Sequence, residues 1–240
     1  MALERTAFYP TGGGQVFDTG WIARADSSGN ADTSTVIEVA EREDGTIVHF
    51  LSDSAPLSLG MRVHGKIDAI RRRDHMQQHS GQHVLSAAFI RVFNLPTVSF
   101  HMGADSCSID LDTKALAPEQ VEAAERLANE IILENRSVEV RYVSQGEAQS
   151  MGLRKVPTVG KAELRLIAIH DFDLTACGGT HVRSTGQIGC ILLRKTEKVG
   201  QGVRVEFVCG QRAVATTRRD YVTLAEAAEL YSAHIWDLPQ

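Results

Sequence analysis

The sequence predicts an α+β protein in two parts, a small N-terminal antiparallel β-barrel over residues 1–70 and an α+β domain over residues 71–240 that ends in a C-terminal helix. Three observations carry this. Residues 1 to about 70 hold several short apolar or alternating runs between turn signals, with no helical period. After Arg71-Arg72-Arg73 the texture changes to helices and strands in alternation, the pattern of helices set against a sheet. Two cassettes far apart in the chain, His79-Ser80-Gly81-Gln82-His83 and Cys177-Gly178-Gly179-Thr180-His181, supply nitrogen and sulfur donors in two i, i+4 pairs.

The predicted elements follow in order. Strands are expected at Gly20-Trp21-Ile22-Ala23, at 35–40, at 46–50 and at 61–68, with turns at Asp26-Ser27-Ser28-Gly29-Asn30, Glu43-Asp44-Gly45 and Ser52-Asp53-Ser54-Ala55-Pro56. A helix follows through 74–93, apolar at helical spacing and free of proline until Pro96. Strands at 98–103 and 107–112 precede a long helix from about Pro118 to Asn135, where the proline suits the first turn. Further strands are expected at 138–143, 165–169, 189–194 and 203–208, then a final helix from about Ala213 to His234. That helix carries an apolar stripe and no evident cap, so a partner on another subunit, a homodimer, or a continuation of the chain is expected there.

With 240 residues, 43% of them hydrophobic and 23% charged, the chain has the composition of an ordinary globular protein with room for one large or two modest cores. No apolar run reaches the roughly eighteen residues of a membrane span, and the start lacks a basic stretch before an apolar core, so no membrane is expected. Cys107, Cys177, Cys190 and Cys209 are few and scattered, which suits a reducing, cytoplasmic compartment. Cys107, Cys190 and Cys209 fall in strand-like segments and are assigned to packing. A net charge of -5 argues against indiscriminate coating of nucleic acid. The basic residues Arg71, Arg72, Arg73, Arg183, Arg194, Lys195, Lys198 and Arg204 flank the two cassettes and are candidates for phosphate contact, solvated surface being the competing role.

Residues four apart on a helix share a face, so His79 and His83 can present two imidazoles to one point. Gly178 and Gly179 imply a tight backbone turn after Cys177, with Thr180 or His181 opening the next element. Mixed nitrogen and sulfur donors favour zinc over magnesium or calcium. Four protein ligands make a metal structural, three plus a water make it catalytic, and both fit this spacing. The competing account has the histidines as hydrogen-bonded core residues and Cys177 as a small buried hydrophobe; two spaced pairs of this composition favour the metal. No Walker-type phosphate loop occurs, so no use of ATP is expected.

Three segments resemble one family, the alanyl-tRNA editing proteins called AlaX and the related editing domain of alanyl-tRNA synthetase. They are Phe8-Tyr9-Pro10-Thr11-Gly12-Gly13-Gly14-Gln15, the run from His75 to His83, and Cys177-Gly178-Gly179-Thr180-His181-Val182. Agreement extends to Ser99-Phe100-His101 and to residues 202–207. The resemblance covers most of the chain and suits the medium or long form of the family.

The resemblance implies a zinc-dependent hydrolase cleaving the ester of mischarged alanine tRNA, the wrong amino acid being serine or glycine. A site sized for alanine cannot exclude glycine sterically and rejects an added hydroxyl only about a hundredfold, so a second sieve is useful. His79, His83, Cys177 and His181 correspond to the metal positions, the metal holding substrate or activating a water for the ester carbonyl. Gly12, Gly13 and Gly14 would let backbone amides approach the substrate, with Gln15 and Thr180 as further substrate contacts, although a plain turn, an exposed amide and a cap are the competing roles. His101 is the candidate to move a proton, and His75 shares the ligand face of its helix. Two departures are mild. Ser80 stands where the family commonly has threonine, which would bear on pocket size, and the long C-terminal extension of the longest members is missing.

Overall fold

The computed structural model describes residues 1–25, 33–52, 57–154 and 163–238. Its N-terminal part is a four-stranded antiparallel sheet of β1 (Gly20–Arg24), β2 (Thr33–Glu41), β3 (Ile47–Leu51) and β4 (Val63–Ile67) in the order β3-β2-β1-β4. The sheet is open. Its edge strands β3 and β4 do not pair among the described residues, so the expected barrel is corrected to an open sheet. Closure needs tilted, staggered edge strands that meet. Here the apolar face of Ile22, Val36 and Val39 is covered instead by the preceding segment, through Phe8, Leu3 and Phe17. Gly65 on β4 lies under that cover, since a Cβ there would come 2.9 Å from the Phe8 ring. The predicted turn at 26–30 lies outside the described residues, as do positions 53–56 of the turn at 52–56. The turn at 43–45 forms, with Gly45 N donating to Arg42 O at 2.9 Å.

Helix α1 (Ala69–Phe93) begins earlier than its apolar period suggests, because Asp68 caps it by accepting from Ile70 N and Arg71 N. It ends at Asn94, whose left-handed backbone (φ 53°) closes the last turn. From Gln77 to Phe89 every residue is buried, so the helix runs through the interior with no solvent face. Three arginines in its first two turns oppose the helix dipole. Two of them are engaged locally: Arg72 pairs with the fully buried Asp18, and Arg71 donates to Phe17 O and lies over the Phe17 ring. These contacts tie the N-terminal sheet to α1. Arg194, Lys195 and Arg204 are likewise ion-paired, with Asp220, Glu197 and Asp110.

The main core lies where α1 packs on a second antiparallel sheet of β5 (Thr97–Met102), β6 (Cys107–Leu111), β10 (Ile191–Val199) and β11 (Gly202–Cys209), ordered β10-β11-β6-β5. Helix α2 (Pro118–Leu133) lies against α1, and Cys107 and Cys209 are buried among these apolar residues. A third sheet joins β7 (Val138–Ser144), β8 (Glu163–Ile169) and β9 (Asp173–Ala176) in that order. The short helix α3 (Gln145–Ser150), opened by a Ser144/Glu147 capping box, and strand β9 were not expected from the sequence pattern. Helix α4 (Gly210–Leu230) completes the chain, with Val214, Tyr221, Leu224 and Leu230 exposed. Among the described residues no helix is long and apolar enough to cross a membrane.

One buried group on α1 makes the fold acid-sensitive. His75 is 2% exposed, and its Nδ1 has no hydrogen-bond partner. Burial pulls its pKa down from 6.5 to about 4, with Arg71 adding to the effect. The folded state therefore prefers the neutral ring. That preference contributes in full above about pH 6.5 and is lost as pH falls toward 4, to a total of about 3 kcal/mol. Urea unfolding of wild type and His75→Leu at pH 7 and pH 4.5 is expected to show a shallower acid loss in the variant. Equal losses would show that His75 titrates normally.

Candidate metal centre

Helix α1 sets His79 and His83 one turn apart on the same face, ring centroids 5.4 Å apart and both rings buried. Strand β9 delivers Cys177 opposite them. The loop is anchored by Cys177 N donating to Arg165 O at 3.1 Å and by Arg165 Nη1 donating to Cys177 O at 2.6 Å. The Cys177 Sγ lies 3.3 Å from Nε2 of His79 and 3.3 Å from Nε2 of His181. One donor atom from each of His79, His83, Cys177 and His181 lies within 4.8 Å of the others. The structure thus brings all four sequence-predicted metal candidates to one point.

Two of the three rings are held from behind by hydrogen bonds. Nδ1 of His79 donates to Gln15 Oε1 at 2.8 Å, which turns its Nε2 lone pair toward the cluster. Nδ1 of His181 meets Ser80 Oγ at 3.2 Å, and the same hydroxyl accepts from Val182 N at 3.1 Å. Gln15 is fully buried, and its Oε1 also accepts from Thr180 N at 3.0 Å. Gln15 and Thr180 therefore sit behind the ligands and link the N-terminal segment to the Cys-His loop. Ser80 also faces that loop and does not line the hollow beside the cluster, so its lost methyl does not enlarge a pocket.

The electrostatics suit a cation. Burial pushes the Cys177 thiol up, but the surrounding imidazoles of His181, His79 and His83 outweigh it and bring the group to about 2, a thiolate. Burial holds His79 low and brings His181 to about 3, so both rings are neutral. His83 moves up, because burial is outweighed by Asp173 and the thiolate. A thiolate with converging imidazole lone pairs, oriented from outside, is the donor set that zinc takes.

Beside the cluster is a hollow of about 450 Å³ whose wall includes Gly13, Gln82, Thr97, Phe100, Arg154 and Thr175. The Phe100 ring packs against His79 at 5.3 Å between centroids. Of the glycine-rich loop, Gly13 lines the hollow. Gly14 (φ 81°) is pressed onto Phe100, where a Cβ would meet the backbone oxygen at 2.7 Å, and Gly12 pairs with Gln15 through the backbone. The chain bends at Gly179 without left-handed backbone at Gly178 or Gly179, and no helix or strand opens at Thr180 or His181. Gly179 is required by close approach instead, since a Cβ there would lie 2.1 Å from Cε1 of His79.

His101 is not brought to the cluster. Alternation along β5 turns Phe100 inward and His101 outward, where its ring is 60% exposed and lies 3.7 Å from Asp110. Asp173, Arg154 and the orienting role of Ser80 were missed by sequence reasoning, because partners 19 to 101 residues apart leave no periodic signal. A larger hollow of about 800 Å³ between α2, β10 and α4 contains no metal-binding cluster among the described residues.

Comparison with known proteins agrees with this geometry. Residues 1–71 match the family described as tRNA synthetases class II (A), and residues 164–205, which hold Cys177 and His181, match the threonyl and alanyl tRNA synthetase second additional domain. The alanine–tRNA ligase of Pyrococcus abyssi is 34% identical over 247 residues, covering 100% of this chain and 26% of the ligase. That of Halobacterium salinarum is 34% identical over 247 residues, with the same coverage of 100% and 26%. The alanyl-tRNA editing protein AlaX-L of Pyrococcus horikoshii is 35% identical over 228 residues, covering 92% of this chain and 54% of that protein. The chain thus spans about a quarter of the ligases and about half of AlaX-L. Over 92% or more of its length the chain is similar to AlaX-L and to the matching quarter of the alanine–tRNA ligases.

Proposed function

We propose that this chain is an aminoacyl-tRNA deacylase that hydrolyses the ester of alanine tRNA mischarged with serine or glycine. The observation that carries the reading is the convergence of four donors beside a hollow large enough for an aminoacyl ester. His79, His83, Cys177 and His181 would hold zinc, which supplies Lewis-acid polarisation of the ester carbonyl when bound. The chain's own residues do the rest. Phe100 walls the hollow against water, Gly13 offers backbone without a side chain, and Gln15 with Thr180 keeps the Cys-His loop seated on His79. In this reading residues 1–70 bear the glycine-rich loop and residues 71–240 form the editing domain. The partner is tRNA in the cytoplasm, and the exposed apolar residues of α4 pair two copies.

Four protein donors are also the number of a closed structural zinc site, which favours a second reading as a non-catalytic tRNA-binding module. The match to a domain shared with threonyl synthetases favours an editing hydrolase for another aminoacyl-tRNA. One assay separates them. Incubated with alanine tRNA charged with serine, glycine or alanine, the purified protein is expected to release serine and glycine quickly and to spare alanine. No release of any of the three supports the binding module, and release only from a different tRNA supports the other hydrolase.

A further inference from the structure

His83 differs from the other two imidazoles of the cluster. The Nδ1 atoms of His79 and His181 have partners in Gln15 and Ser80, whereas Nδ1 of His83 is buried without a hydrogen bond. The group facing it is Asp173, with Oδ2 at 3.7 Å and a side chain only 4% exposed. On its other side that carboxylate is gripped by Arg154, Nε to Oδ1 at 2.9 Å and Nη2 to Oδ2 at 3.0 Å. Arg154 N in turn donates to Leu174 O at 3.0 Å, so the clamp is built onto β9, the strand that delivers Cys177.

A buried carboxylate is costly unless paired, and a two-pronged guanidinium is its strongest pairing. Once fixed in this way, Asp173 can do for His83 what Gln15 and Ser80 do for the other rings. We propose that Asp173, held by Arg154, is the positioning residue for His83: it keeps the proton on Nδ1 and so commits Nε2 to the metal. The proposal rests on the zinc reading of the cluster. The gap to Nδ1 exceeds a hydrogen bond by less than about 1 Å, within reach of a small ring rotation. Ligand histidines are commonly oriented by such a carboxylate, and its loss costs about 10- to 100-fold in metal affinity.

The test compares zinc affinity, by chelator competition, and the cobalt-substituted absorption spectrum across full-length variants. Asp173→Asn is expected to weaken zinc about 10- to 100-fold and to alter the cobalt spectrum. Asp173→Glu, which keeps the carboxylate, should recover most of the affinity, and Arg154→Gln should fall between. Asp220→Asn, which breaks the Asp220–Arg194 pair on α4, should behave as wild type. Wild-type affinity and spectrum in Asp173→Asn would overturn the proposal, as would equal losses in Asp173→Asn and Asp173→Glu. Should Asp173→Asn fail to fold, unchanged affinity in Arg154→Gln overturns it. A wild-type protein that binds no zinc overturns the metal reading as well, so the two failures are distinct.

Discussion

Replacing His83 by alanine is expected to remove bound zinc and deacylation together while leaving the fold in place. His83 is one of four donors within 4.8 Å of one another, and its ring is buried beside the hollow. Loss of a ligand should therefore exceed the roughly 10- to 100-fold cost of losing an outer partner. Stability of the metal-free protein should fall without loss of the fold, because truncating a buried ring leaves a cavity facing Asp173. Metal analysis, circular dichroism and release of serine from mischarged alanine tRNA measure the three quantities on one preparation. Deacylation at the wild-type rate by a metal-free variant would remove the metal from catalysis.

Gly179→Ala is expected to act almost like loss of a ligand, although residue 179 donates nothing to a metal. Its Cβ would lie 2.1 Å from Cε1 and 2.5 Å from Nδ1 of His79, far inside contact distance. The ring has nowhere to retreat, since Nδ1 is bonded to Gln15 and Phe100 packs against it. Either the ring or the Cys177 loop must move by about 1 Å, a displacement that spoils a tetrahedral site with bond lengths near 2 Å. The neighbouring glycine supplies the control. Nothing lies within 4 Å of a Cβ at Gly178, so Gly178→Ala should retain wild-type zinc affinity. Equal behaviour of the two variants would show that the loop is loose and that the approach to His79 does not matter.

The donor set was legible because it depends on local rules. His79 and His83 sit four apart in a strongly helical segment, and periodicity alone puts them on one face. Cys177 and His181 announce themselves by residue type and by the glycines between them. The third sheet was half legible: β7 and β8 have apolar patterning, but β9 is four residues long and only its pairing with β8 makes it a strand. His101 shows how little separates a good inference from a wrong placement. It stands one residue from Phe100, which touches His79, and on a strand one residue is the difference between the two faces. The barrel expectation failed for a similar reason: short strands and turns reveal a sheet, but whether its edges meet depends on Phe8, Leu3 and Phe17 covering the face first.

Residue types and spacing were enough to establish an α+β chain with four zinc-type donors in two pairs, since ligand chemistry and helical period are properties of short segments. Only the folded molecule decided how those donors are oriented. Gln15 reaches His79, Ser80 reaches His181, and Arg154 clamps Asp173 opposite His83. Most of these contacts bridge segments far apart in sequence, and the chain can align them only after the N-terminal sheet, α1 and β9 have packed around one buried point.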